Sequence, residues 1–176
     1  MKIYSNNIVL RPWEERDAER LATIANNKKI YDNLRDGFPN PYSIEDAKQF
    51  ISNLQQDTKQ PKIFAIEYGS IVVGSIGVFS KEDIYRKNAE IGYYLAEEYW
   101  GKGIMTKAIK AITEYIFDNF DVIRVYAEPF ARNIGSRKAL EKAGFRLEAY
   151  LKNNVIKNDT IEDSCIYAVL KNEYAK

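Results

Sequence analysis

The sequence predicts an α+β fold, a mixed, mainly antiparallel sheet of six or seven strands with helices on both faces. Three observations carry that prediction. Residues 89–120 read in order as an alternating strand, a two-glycine loop and a long amphipathic helix. Two β-rich runs flank Gly69-Ser70, which makes a hairpin and, with the strand that follows, an antiparallel meander. Beyond the helix, alternation of Phe145, Leu147, Ala149 and Leu151 and a final run at 163–170 add two more strands.

The first strand is Ile8, Val9 and Leu10, closed by Arg11-Pro12 because proline cannot extend a central ladder. Residues 17–26 form a helix with Ala18, Leu21, Ala22 and Ala25 on one side, ended by Asn26-Asn27. The stretch 31–42 carries two prolines, a glycine and aromatic residues in no period, and reads as an ordered loop. Ser43 and Asp46 stand at capping-box spacing and open a helix that runs to about Gln56. Strands at 62–68 and 71–79 form the hairpin. In the strand at 89–95, Ala89, Ile91, Tyr93 and Leu95 share one face and Glu90, Gly92 and Tyr94 the other. The following helix repeats Ile104, Ala108, Ile112, Tyr115, Ile116 and Phe120 at helical spacing. A strand at 122–128 stops at Pro129, and a short helix at 136–143 is followed by Gly144 in the position past a helix end.

With 176 residues, 45% of them hydrophobic, the chain is long enough for one sizeable core and reads as a single domain over 1–176. Its 26 basic and 25 acidic residues leave a net charge of +1, so neither nucleic acid nor a membrane is expected as a partner. A single cysteine, Cys165, excludes an internal disulfide and fits a cytoplasmic protein. The opening residues lack a signal-peptide core, and no run approaches the roughly 20 apolar residues of a membrane span. There is no histidine. Ser-His and Cys-His nucleophile pairs and histidine-ligated zinc are thereby excluded, and no metal is expected. Any acid or base must be a carboxylate, hydroxyl, phenol, amine, water or backbone group.

A helix starting just after Gly101-Lys102-Gly103 points its unpaired N–H groups, and the positive end of its dipole, into the loop. Main chain so placed is an anion site, and the glycines let it approach a diphosphate closely. A simple glycine turn between strand and helix explains the same residues. The spacing is neither G-x-x-x-x-G-K-[ST] nor G-x-G-x-x-G, since Thr106 stands where the third glycine would be. The segments W-G-K-G-I-M-T at 100–106, N-I-G-S at 133–136 and L-E-K-A-G-F at 140–145 together resemble the GNAT superfamily of acetyl-CoA-dependent N-acetyltransferases. I-V-L-R-P-W at 8–13 and F-P-N-P-Y-S-I-E-D-A at 38–47 resemble its branch of ribosomal-protein N-terminal acetyltransferases and their small-molecule relatives. The resemblance covers nearly the whole chain. It departs at Glu98, where the family usually carries Gln or Arg, which implies altered contacts to the diphosphate.

The resemblance implies a splay between the strands at 89–95 and 122–128, with the pantetheine of acetyl-CoA lying between them like an extra strand. Main-chain groups of Tyr93, Tyr94 and Leu95 would bond it, an N–H near Tyr94 or Leu95 would polarise the thioester, and the amides of Gly101, Lys102, Gly103, Ile104, Met105 and Thr106 would hold the diphosphate. Acetyl transfer needs an uncharged attacking amine and a stabilised leaving thiolate. Glu90, an acid in an otherwise apolar strand, is the candidate base, acting through one water; a solvent-facing glutamate is the competing reading. Ser136 is the candidate donor to the thiolate and Asn133 the candidate partner of the pantetheine amides, and either also fits as a helix cap. Tyr93 and Tyr126 are reserve acids, while Cys165 reads as an inert strand residue. Arg35, Phe38 and Tyr42 of the aromatic loop, with Glu90, are the candidate acceptor-binding residues. The reaction implied is direct attack by a primary amine, on a protein N-terminus or a small molecule, in a ternary complex. A non-catalytic acyl-CoA-binding module of the same fold is the alternative, and the resemblance allows a homodimer.

Overall fold

The computed structural model describes residues 2–56 and 63–174. Its strands are β1 (Ile3–Ser5), β2 (Ile8–Pro12), β3 (Ile63–Tyr68), β4 (Ile71–Ser80), β5 (Asn88–Leu95), β6 (Arg124–Ala127), β7 (Arg146–Lys157) and β8 (Thr160–Leu170). They form one eight-stranded sheet in the order β1-β2-β3-β4-β5-β6-β8-β7, antiparallel everywhere except between β5 and β6. The helices are α1 (Ala18–Ala25), α2 (Lys28–Tyr31), α3 (Ile44–Gln56), α4 (Ile104–Asn119) and α5 (Ile134–Lys142).

The expected α+β architecture is present, with one strand more than expected. The extra strand is β1, whose three residues pair with β2 and are too few to display a period. Lys62, taken from the sequence as the start of a strand, lies outside the described residues. The strand expected at 122–128 shortens to Arg124–Ala127, whereas β7 and β8 extend to a tip at Asn158-Asp159. That tip shows no apolar alternation because both of its faces meet solvent over much of their length. Asn133 moves the start of α5 ahead of 136 by accepting the Ser136 N–H at 3.2 Å. At α3 the box is reciprocal despite its aspartate: Asp46 N–H donates to Ser43 Oγ at 3.1 Å, and Ser43 N–H to Asp46 Oδ2 at 2.8 Å.

Alternation along β5 divides the interior. Ala89, Ile91 and Leu95 join the larger core with α4, α5 and β6–β8, where Ile104, Ala108, Ile109, Ile112 and Ile116 are fully covered. On the opposite face, Tyr94 packs with the core of α1 and α3, built on Leu21, Ile24, Ala47 and Ile51. Helices therefore cover both faces, and β5, near the middle of the sheet, sends side chains into each layer.

Candidate active site

The parallel pairing of β5 with β6 lasts for three residues, Asn88↔Arg124, Ala89↔Val125 and Glu90↔Tyr126. Past Glu90, β5 continues to Leu95, while β6 ends at Ala127 and leads into Pro129. A seam opens between them. Register identifies the main-chain groups that face it. In an antiparallel ladder, alternate residues turn their N–H and C=O to the same neighbour. The Asn88 carbonyl accepts from Lys81 on the β4 side, and Ala96 N–H donates to Val73 of that strand, so even-numbered residues of β5 bond β4. Lys87, of the other parity, accepts from Ile123 on the β6 side. The main chains of Ile91, Tyr93 and Leu95 accordingly face the seam, and that of Tyr94 is turned to β4. The Leu95 carbonyl accepts from the Trp100 indole at 2.7 Å, which leaves its N–H for the seam.

Around this seam lies a cleft of about 730 Å³, lined by Glu90–Leu95 of β5, residues 99–101 and 103–106 at the start of α4, residues 127–130 at and after the end of β6, one side of α5, and Lys29, Ile30 and residues 33–35 around α2. At its α4 end, Gly101 and Gly103 have φ of 75° and 72°, in the left-handed region that side chains resist. A Cβ at either would meet open space, so the backbone angle, not crowding, calls for glycine. Gly103 is the residue before α4, and the first rung of that helix is Lys107 N–H to the Gly103 carbonyl. The N–H groups of Ile104, Met105 and Thr106 precede the ladder and point out of the helix end.

Glu98 stands apart from this arrangement. Its carboxylate takes Arg20 Nη2 at 2.9 Å, a bond that holds it below the usual carboxylate range, and it does not line the cleft. Arg20 is itself fixed by donating to the Val72 carbonyl at 2.9 Å. Lys102 also sits off the cleft wall, with its ammonium 5.0 Å over the Tyr99 ring.

At the other end Glu90 is 9% exposed. It is not a lone carboxylate in an apolar pocket. Lys81 Nζ reaches Oε2 at 2.7 Å, the Tyr126 hydroxyl reaches the same oxygen at 3.3 Å, and Arg35 pairs with Oε1. Burial works to lower the Lys81 pKa, but the Glu90 carboxylate outweighs it and the ammonium is held above its ordinary value. Burial raises the Tyr126 phenol, against the pull of Lys81. Lys81 was not expected from the sequence. It is on the strand face of Glu90, two residues past Phe79, which stands opposite Glu90 in the β4–β5 register. Without that register the lysine is lost in a run of charged residues.

Across the seam the Tyr93 hydroxyl lies 2.8 Å from Ser136 Oγ. Burial pushes the Tyr93 phenol well above its ordinary value, with Ser136 pulling weakly the other way, so the phenol keeps its proton. When Tyr93 donates to Ser136, the serine hydrogen is left for a third group. Asn133 caps α5 and also lines the cleft. Of the aromatic loop, Arg35 lines the cleft, whereas Phe38 lies behind the wall with its ring 5.4 Å from that of Tyr94, and Tyr42 is 6% exposed within the second core. Cys165 is buried in β8, and burial pushes its thiol up. No helix among the described residues is long and apolar enough to cross a membrane.

The family model described as an acetyltransferase (GNAT) domain matches residues 7–146. The chain is 31% identical over 174 residues to the probable N-acetyltransferase YjcK of Bacillus subtilis, covering 93% of each protein. It is 31% identical over 107 residues to the ribosomal-protein-serine acetyltransferase of Escherichia coli, covering 61% of this chain and 59% of that one. The crystal structure of the microcin C7 self-immunity acetyltransferase MccE, in complex with acetyl-CoA and AMP, superimposes with a TM-score of 0.80 at 28% identity over 94% of this chain and 93% of that one. A family match over most of the chain, a glycine-bent helix start and a seam opening beside it agree: the chain belongs to the GNAT family of N-acetyltransferases.

Proposed function

We propose that the protein moves the acetyl group of acetyl-CoA to a primary amine, by direct attack in a ternary complex. The single observation that carries this reading is the β5–β6 ladder stopping at Glu90↔Tyr126 while the amides of α4 stand free at the far end of the same cleft. The cleft fits an elongated molecule with a polyanionic end. The N–H groups of Ile104, Met105 and Thr106, with the main chain of Gly101 to Gly103, would hold the diphosphate. Main-chain groups of Tyr93 and Leu95 would bond the pantetheine as a neighbouring strand does, and the Leu95 N–H is the candidate donor to the thioester oxygen. Asn133, whose Oδ1 is occupied as a cap, offers its Nδ2 to the pantetheine amides.

Glu90 would take the proton of the ammonium, through water, once Arg35 releases Oε1; Lys81 and Tyr126 keep the other oxygen in place. The amine nitrogen then attacks the thioester carbon and the carbon–sulfur bond breaks; the second proton shed by the nitrogen passes through water to the departing sulfur, whose thiolate Ser136 steadies by donating a hydrogen bond with Tyr93 behind it. The acceptor amine is a protein N-terminus or a small molecule. Two bound cations on Glu90 also suit a non-catalytic acyl-CoA-binding module. Two measurements decide. Acetyl-CoA at a hundred times its Kd should raise Tm by about 5–10 °C, from roughly 2.7 kcal/mol of linkage. Thiol release on a panel of amines and peptides should follow. Binding without thiol release on any acceptor would favour the module, and no rise in Tm would reject both readings.

A further inference from the structure

We infer that Arg35 makes the acceptor site selective for amines that carry an anionic group, against diamines and polyamines; the inference rests on the amine-acetylation reading above. The argument begins with how the charge of Glu90 is shared. Lys81, just past the end of β4, is one-third exposed and holds Oε2 together with Tyr126. It is a built-in counterion. Arg35 differs, since its side chain is 80% exposed, lies in the loop between α2 and α3, and reaches Oε1 through Nη2 alone. A guanidinium has five N–H donors in a rigid fork, so this contact uses a small part of what it can bind.

An ammonium that seeks Glu90 competes with Arg35 for Oε1. Once displaced, the arginine is still tethered beside the bound amine and must find another partner. An acceptor that carries a carboxylate or phosphate near its amine satisfies Glu90 and Arg35 together, with charge-assisted bonds to both. A diamine brings a second cation into a place already occupied by Lys81 and Arg35, where like charges repel in a part-buried setting.

Two of the remaining cations on the cleft wall are committed elsewhere. Lys29 pairs with Glu97, and Arg132 is spent on Glu162, the Asn33 side chain and the Asp32 carbonyl. Glu128 accepts from Asn154 and Ser164 of the β7–β8 hairpin, both at 3.0 Å; these neutral donors fix the carboxylate but leave its charge in place. Asp36, next to Arg35, holds Lys157 at 2.9 Å. Lys138 and Lys142 line the α5 side of the cleft and add positive charge. The exchangeable pair at the acceptor end is Arg35 with Glu90, and the surrounding balance is positive.

The test uses the full-length protein and initial rates of thiol release from acetyl-CoA. One set of acceptors is γ-aminobutyrate, n-butylamine and putrescine, alike in chain length and different in the charge of the far end. A second set is tripeptides with glutamate, glutamine or lysine beside an N-terminal serine. In each set the acidic member should exceed the basic one in kcat/KM by about tenfold or more, with the neutral one between. Arg35→Glu should invert the order and Arg35→Gln should compress it; an exposed loop side chain makes unfolding of either variant an unsuitable explanation, which an unchanged Tm verifies. A wild-type preference for the basic members, or an order untouched by Arg35→Glu, overturns the inference while leaving the transferase reading intact. Absence of thiol release with every acceptor overturns the transferase reading and this inference with it.

Discussion

Two residue-sized arrangements make separate demands, one on turnover and one on stability. If Glu90 takes the proton and Ser136 steadies the thiolate, Glu90→Gln should lower kcat/KM by about 10²–10³-fold and Ser136→Ala by about 10–10²-fold. Both variants should keep the rise in Tm with acetyl-CoA, because neither side chain is assigned to the diphosphate or to the strand-like contacts. Full turnover in both would remove the assigned roles. The second arrangement is Arg11 between Asp17 and Glu67, at 2.7 Å from each, with Arg11 and Asp17 almost wholly covered. Burial works to raise the Asp17 pKa, but the Arg11 guanidinium and the Glu14 N–H override it and hold the carboxyl below its usual range. A depressed folded value means the contribution is complete above the unfolded value of about 3.9 and is lost as pH falls through the folded one. Acid titration of Tm should therefore show a steep loss only below about pH 4. Arg11→Ala, which strands a buried carboxylate, should cost about 3–5 kcal/mol and lower Tm by roughly 10 °C at neutral pH.

At the scale of elements, the turn into α4 binds two properties together. Gly103→Ala forces a side chain into the left-handed region, at about 1–2 kcal/mol, with open space around the added methyl. The expected outcome is a Tm loss of a few degrees with a larger loss in acetyl-CoA affinity, about tenfold by calorimetry, since the same bend aims the helix amides. An affinity equal to that of the wild type would dissociate the bend from the coenzyme. Elements with a burial period were legible in the sequence: β5 and α4 lie close to where alternation and helical spacing put them. Elements without one were not. β1 and α2 span three and four residues, and α2 depends on Asn27, which the sequence offers equally well as the stop of α1. The outer parts of β7 and β8 are wet on both sides, so their length comes from hairpin pairing and leaves no apolar mark.

For the whole molecule, the seam divides the sheet into β1–β5 with α1–α4 and β6–β8 with α5. The halves meet through the three-residue ladder at Glu90, through α4 packed on α5, and through a strap that includes residues 32–36. In the strap, Arg132 grips Asn33 and Asp32, Asn158 donates to Asp32 at 2.8 Å, and Lys157, 1% exposed, meets Asp36 and the Tyr31 ring. Arg132→Ala should raise amide exchange in residues 32–36 of the strap, measured by mass spectrometry, with little change in α4. Unchanged exchange there would show that the strap is not held by Arg132. The candidate site was legible as far as its local motifs reach: the two-glycine bend, Glu90 and the Asn133–Ser136 turn. Lys81, Arg132 and Lys157 were not, because their partners are far away in the chain and appear only once strands are in register.

The interrupted ladder has one further effect. The amides and carbonyls that the proposal gives to a coenzyme are equally open to any extended polypeptide, including the frayed end of another molecule. Shelf life should thus depend on ligand: concentrated stocks kept without acetyl-CoA would drift toward fibrous clumps, and the coenzyme would serve as a stopper long before it serves as a reagent.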